Sequence, residues 1–153
     1  MISLKQHKKC DYPRTVKWLL DPEVRNSYGL QREINICSHV NFLKKNPNLS
    51  ILGIYYRDLH VGNITIITRT KYLVELQIFL GNKRLWGKKL ASKSIQVLLE
   101  NTSKKIRLYV RCGEKKIIFY KRLGFIERKQ LLCAHLHNNP DTVILQTYGR
   151  RND

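Results

Sequence analysis

Four basic side chains, Lys83, Arg84, Lys88 and Lys89, fall within seven positions around a single glycine, Gly87. The residues before them, Val74 to Leu80, alternate as a strand does. Those after them repeat apolar residues at a spacing of four: Leu90/Ala91, Ser94/Ile95, Leu98/Leu99. Strand, short basic loop and helix start follow in that order. A helix start leaves backbone N–H groups without intrahelical partners at the positive end of the dipole, which makes it an anion site. The segment from Leu85 to Leu90 is therefore expected to receive a phosphate-bearing group, with the basic side chains neutralising it. On the strand ahead of the loop, Glu75 and Gln77 share one face with Leu73 and Phe79. Val74, Leu76, Ile78 and Leu80 share the other. Cys133, His135 and His137 also alternate and could face one way as metal ligands, but no fourth ligand is apparent and no metal is expected. His39 and His60 are isolated and read as ordinary surface or core residues.

The elements that must hold this loop can be read from periodicity. Residues 2–7 form a short first strand. Asp11 is placed to cap a helix with Pro13 in its first turn and Val16, Leu19 and Leu20 on its apolar face. Asp21-Pro22 ends or bends that helix, and residues 24–33 read as a loop. Asn35 caps a second helix on which Ile36, Val40 and Leu43 fall at helical spacing. The period then shifts to strands: Ser50–Tyr56, a turn at Arg57-Asp58-Leu59, Val61–Thr68 and Tyr72–Leu80. After the striped helix, Ile106–Arg111 is a strand and Glu114–Leu123 a helix stopped by Gly124. Phe125–His135 and Thr142–Tyr148 close the chain as a strand pair around Asn138-Asn139-Pro140-Asp141. The order is that of one mixed α/β domain covering residues 1–153, with a central, mostly antiparallel sheet flanked by helices.

Composition narrows the class. The 153 residues are 42% hydrophobic, with 29 Lys+Arg against 11 Asp+Glu, a net charge of +18. The hydrophobic content argues against disorder. The charge points to an anionic partner or to a solvated lysine-rich surface, since lysines are scattered along the whole chain. Cys10, Cys37, Cys112 and Cys133 form no C-x-x-C pair and read as reduced thiols of a cytoplasmic protein. No apolar run reaches membrane-spanning length, and no membrane partner is expected.

Four segments together resemble the GCN5-related N-acetyltransferases, and within them the branch similar to ribosomal-protein and nucleotide amino-sugar acetyltransferases. They are Trp18-Leu19-Leu20-Asp21-Pro22-Glu23-Val24, His39-Val40-Asn41-Phe42, the strand-loop-helix around Gly87, and Leu108-Tyr109-Val110 through Phe119-Tyr120-Lys121-Arg122-Leu123-Gly124-Phe125. The loop pattern of that family, Gln/Arg-x-x-Gly-x-Gly/Ala, is met here by Arg84 and Gly87, while Lys89 stands where a small residue is usual. Gly113 stands where an Asn often contacts the coenzyme.

The resemblance implies a transfer of acetyl from acetyl-CoA to a primary amine. Arg84, Leu85, Trp86, Gly87, Lys88, Lys89 and Leu90 would hold the coenzyme phosphates. Ile78, Phe79 and Leu80 would offer backbone groups to its pantetheine arm, and Gly113 would lie against it. Tyr120 would protonate the leaving thiolate. Glu75 would take the proton of the amine, with Gln77 positioning a water or the acceptor. An amino sugar on a nucleotide diphosphate is the implied acceptor, with a protein N-terminus as the alternative. The basic surface would suit RNA or a ribosome, and the molecule would be a monomer or homodimer. A reading of another class, a nucleic-acid-binding module without catalysis, rests on charge alone.

Overall fold

The structure, a computed structural model, describes residues 1–28, 34–111, 114–128 and 142–146. Its strands are β1 Ile2–Gln6, β2 Leu49–Tyr56, β3 Leu59–Thr70, β4 Leu73–Leu80, β5 Lys105–Arg111, β6 Ile126–Arg128 and β7 Thr142–Gln146. Its helices are α1 Tyr12–Leu20, α2 Pro22–Tyr28, α3 Ile36–Lys45, α4 Leu90–Glu100 and α5 Glu114–Arg122. The strands form one sheet in the order β1-β2-β3-β4-β5-β7-β6. Neighbours run antiparallel except β4 and β5, which are parallel and connected through α4. That is the mixed, mostly antiparallel sheet with flanking helices expected from the sequence.

Alternation on the strands assigns the two faces of the sheet. Val74 and Leu76 of β4 join Ile54, Ile64, Ile106 and Leu108 under Ile95 and Leu98 of α4, with Ile117 and Tyr120 of α5, Leu123 just after it, and Phe125 against them. Phe79 of β4 points the other way, into a second cluster with Val16 and Leu19 of α1, Val24 of α2, and Ile34. The spacing-four stripe of α4 is buried as read: Leu90, Ser94, Ile95 and Leu98. Gly124, at φ +91°, closes α5, a conformation that costs a residue without Cβ little.

Three expectations are corrected. Residues 24–33 are not all loop, because α2 occupies Pro22–Tyr28. Asp21-Pro22 both ends α1 and begins α2. The Asp21 carboxylate accepts hydrogen bonds from the N–H groups of Glu23 and Val24, and Pro22 supplies a first helical residue that needs no donor. Asp11 does not cap α1 with its side chain; it accepts from the N–H of Lys8 and turns inward toward histidines. On α3 the buried residue is His39; Val40 and Leu43 are half-buried and Ile36 is exposed, so the expected apolar stripe turns inward only in part and shares its place with a histidine. The cap at Asn35 is as expected, reciprocated by Ser38.

Candidate active site

The loop is a strand-to-helix turn built in two steps. After Gly81, Asn82 caps a short 3₁₀ turn, Lys83–Leu85, accepting from the N–H of Arg84. Gly87 takes φ +78°, and Lys89 follows in the left-handed region at φ +59° as the residue preceding α4. A β-carbon costs energy in that conformation. It also fixes where the Lys89 side chain leaves the backbone. Three of the loop's N–H groups, those of Leu85, Trp86 and Lys88, are used internally, on the carbonyls of Asn82, Lys83 and Leu85. Those of Gly87, Lys89 and Leu90 engage no hydrogen bond among the described residues. The unengaged N–H groups therefore sit at Gly87, Lys89 and Leu90 rather than evenly from Leu85 onward. Arg84, Lys88 and Lys89 are exposed.

Two tryptophans fix this loop to the sheet. Trp86 donates its indole N–H to the carbonyl of Leu80 at 2.8 Å. Trp18 of α1 lies over Gly81, where an added β-carbon would fall 1.9 Å from the indole. Lys83 ties the loop to the α1–α2 corner through Asp21 at 2.8 Å and Glu23 at 3.0 Å. These hydrogen bonds raise the Lys83 ammonium above the usual lysine value and lower Asp21 below the usual carboxylate value.

Ahead of the loop the sheet opens. β4 and β5 pair only at Leu73↔Lys105, Val74↔Ile106 and Glu75↔Arg107. Beyond this point β4 continues to Leu80 against β3, while β5 continues to Arg111 against β7. Between them, among the described residues, the two strands exchange no further backbone pairs. The slot that results is walled by Leu76–Leu80 and by residues 108–111, and Ile78, Phe79 and Leu80 lie on its β4 wall.

Glu75 stands at the vertex of the slot. It is buried, on the α1–α2 face, and Arg69 donates to its carboxylate at 2.6 Å. Gln77, on the same face, is exposed. Tyr120 is on the opposite face, packed with Ile78 and Leu80 against the α4 cluster, its ring 5.7 Å from Phe125 and 5.0 Å from Phe119. Burial pushes its phenol up to about 12, so it holds its proton across the neutral range. The slot thus separates a carboxylate on one face from a protonated phenol on the other. Gly113, Cys133, His135 and His137 lie outside the described residues.

A second polar group has no signature in the sequence. His7, His39 and His60 are buried together with Asp11, Thr15 and Asn63 beneath α1 and α3. His60 Nε2 lies 2.8 Å from Asn63 Oδ1, and Asn63 donates to Thr15 at 2.8 Å. His7 Nδ1 and His60 Nδ1 approach the two Asp11 oxygens at 3.8 and 3.7 Å. Burial lowers the His7 imidazole to about 4, with His39 and His60 adding to the effect against Asp11. For Asp11 itself burial acts upward, but the Lys8 N–H and the two imidazoles outweigh it and hold the carboxyl below its usual value. Among the described residues, no three His, Cys, Asp or Glu side chains are arranged to hold a metal ion.

No family model matches the chain, and no curated protein sequence matches it. Solved structures do. A domain from Methanocaldococcus jannaschii aligns over 96% of this chain and 97% of its own at TM-score 0.77 and 18% identity. The aminoglycoside acetyltransferase AAC(6')-Ib in complex with coenzyme A aligns over 99% and 96% at 0.77 and 14%. A spermidine N-acetyltransferase chimera from Vibrio cholerae and hSSAT aligns over 95% and 94% at 0.74 and 15%. The chain shares the fold of that domain and of the two acetyltransferases.

Proposed function

We propose that the chain is an N-acetyltransferase that moves acetyl from acetyl-CoA to a primary amine. One observation supports this above the others. The parallel strand pair, β4 with β5, parts at Glu75 and Arg107, directly ahead of a loop whose Gly87, Lys89 and Leu90 N–H groups are unengaged among the described residues. A slot of this kind accepts an extended amide chain against Ile78–Leu80, and the helix start beyond it accepts the phosphates. Arg84, Lys88 and Lys89 supply charge around them, and Trp86 holds the loop in register with β4.

In this reading the amine reaches the slot from the Glu75 face. Its nitrogen lone pair attacks the thioester carbonyl carbon, and a backbone N–H on the β4 wall stabilises the oxygen as charge develops there. The C–N bond forms and the C–S bond breaks. The surplus amine proton passes to Glu75, directly or through water held near Gln77. The thiolate leaves on the other face and takes the Tyr120 proton, which solvent later restores. Holding both substrates in line contributes much of the rate.

An amino sugar carried on a nucleotide diphosphate is the acceptor we favour, and a protein N-terminus is the alternative. Spermidine and aminoglycosides, named for two of the fold neighbours, are polycations; a chain of net charge +18 is poorly suited to them. A cytoplasmic setting belongs to the same proposal, and the exposed free thiols of Cys10 and Cys37 suit a reducing compartment.

Titration calorimetry with acetyl-CoA tests the reading first. Saturable binding is expected. Absence of binding at near-millimolar coenzyme, with salt-dependent binding to arbitrary RNA instead, would replace it with a nucleic-acid module.

A further inference from the structure

We propose that Arg107 holds an anionic group of the acceptor, a phosphate or a carboxylate, so that the site selects amines that also bear negative charge. The inference rests on the acetyltransferase reading and deepens it.

Arg107 is the last residue of β5 paired with β4, in register with Glu75 on one side and with Gln146 of β7 on the other. Residues in register on adjacent strands point to the same face, so Arg107 stands beside the candidate base, at the vertex of the slot, on the side from which the amine arrives. Its side chain is half-buried, and its Nε is buried without a hydrogen-bond partner. Nor does any ion pair among the described residues include it. A guanidinium N–H removed from water and left unmet costs free energy that a carboxylate or phosphate would recover, in the fork geometry that guanidinium suits.

The carboxylate in register with it, Glu75, is already paired with Arg69. A polycationic amine would meet two guanidinium groups at the vertex, with only that shared carboxylate to offset them. An amine with an adjacent anion would meet the unpartnered Arg107 Nε–H and, in the next strand, the buried amide side chain of Gln146.

Three amino sugars that differ in charge test this: glucosamine, glucosamine 6-phosphate and muramic acid, with spermidine as the polycation. In the native protein, the KM of the phosphate or the carboxylate sugar should lie ~10-fold or more below that of glucosamine, the value of a hydrogen bond to a charged group. Spermidine should be the poorest acceptor. Arg107→Gln should remove the preference while leaving acetyl-CoA affinity and glucosamine turnover in place, and Arg107→Lys should retain part of it. Equal KM values for all three sugars in the native protein would overturn the proposal without touching the acetyltransferase reading. So would an Arg107→Gln protein that keeps its preference or loses only coenzyme affinity. If acetyl-CoA binds but no amine is acetylated, it is the acetyltransferase reading that fails. Calorimetry of glucosamine 6-phosphate with the coenzyme-loaded protein then decides on Arg107. Binding lost in Arg107→Gln supports the anion site, and binding that is absent or unchanged refutes it.

Discussion

Tyr120 and Gly81 show what single side chains contribute here. A phenol raised to about 12 by burial is a proton store that stays full at every pH at which the protein would work. Replacing it with Phe removes one oxygen and little packing, so Tyr120→Phe should lower kcat by roughly 10²-fold or more, as loss of a general acid does, with acetyl-CoA affinity little changed. Unchanged turnover would take Tyr120 out of the chemistry. The same shift also affects stability. The unfolded chain gives up this proton near pH 10 and the folded one near 12, so stability falls as pH rises across that window and is unaffected below it. Gly81 is a matter of space. The Trp18 ring occupies the position where its β-carbon would lie, so Gly81→Ala must displace either the indole or the strand end. Such overpacking costs about 1–3 kcal/mol, visible as a lower Tm together with weaker coenzyme binding, because the same ring anchors the loop. A variant with native Tm would show that the ring moves freely.

At the scale of elements, the turn between β2 and β3 is the least relaxed. Arg57 and Asp58 both take positive φ, at 50° and 61°, in a two-residue hairpin where Asn-Gly is the preferred pair. Asp58→Gly should therefore raise stability by about 1 kcal/mol, less the small contribution of its exposed ion pair with Lys5. A fall in the denaturation midpoint would refute this. Most elements were legible because each has a local cause. The α4 stripe, the Asn35 cap, the alternation of β4 and the glycine after α5 all lie within a few residues of what they determine. The signal of α2, Asp21-Pro22-Glu23, is equally local, but a proline that ends one helix masks its second role as the first residue of another. The strand-loop-helix was visible as an anion site. The parting of β4 from β5 was not, since it depends on β7 replacing β4 as the partner of β5. Arg107 was overlooked for the same reason. In the sequence it is one more cation among 29 Lys+Arg, and only strand register places it beside Glu75.

The whole molecule sets the histidine layer and the slot. His7, Asp11, Thr15, His39, His60 and Asn63 span 57 positions and meet only when β1, β2 and β3 pair and α1 and α3 cover them. No sequence spacing could announce that. Its consequence is global. The unfolded chain protonates His7 near pH 6.5, but the folded one only near 4, so stability is fully present above pH 6.5 and declines as pH falls through that window. The decline amounts to about 3 kcal/mol at 1.36 kcal/mol per pKa unit. Urea midpoints between pH 7 and 4 should fall more steeply in the native protein than in His7→Asn, and parallel curves would exclude a buried neutral imidazole at this position. The slot has a counterpart in topology. A sheet ordinarily has two rims; among the described residues β4 and β5 each present a further one toward the other across the slot. An outer rim invites strands from other molecules and is a route to aggregation. A rim facing another rim across a narrow gap admits only a thin, extended guest. The fold thereby keeps pairing capacity at its centre while withholding it from its own copies. Alternate amides of Leu76–Leu80 should then exchange with solvent quickly in the empty protein and slowly once acetyl-CoA fills the gap.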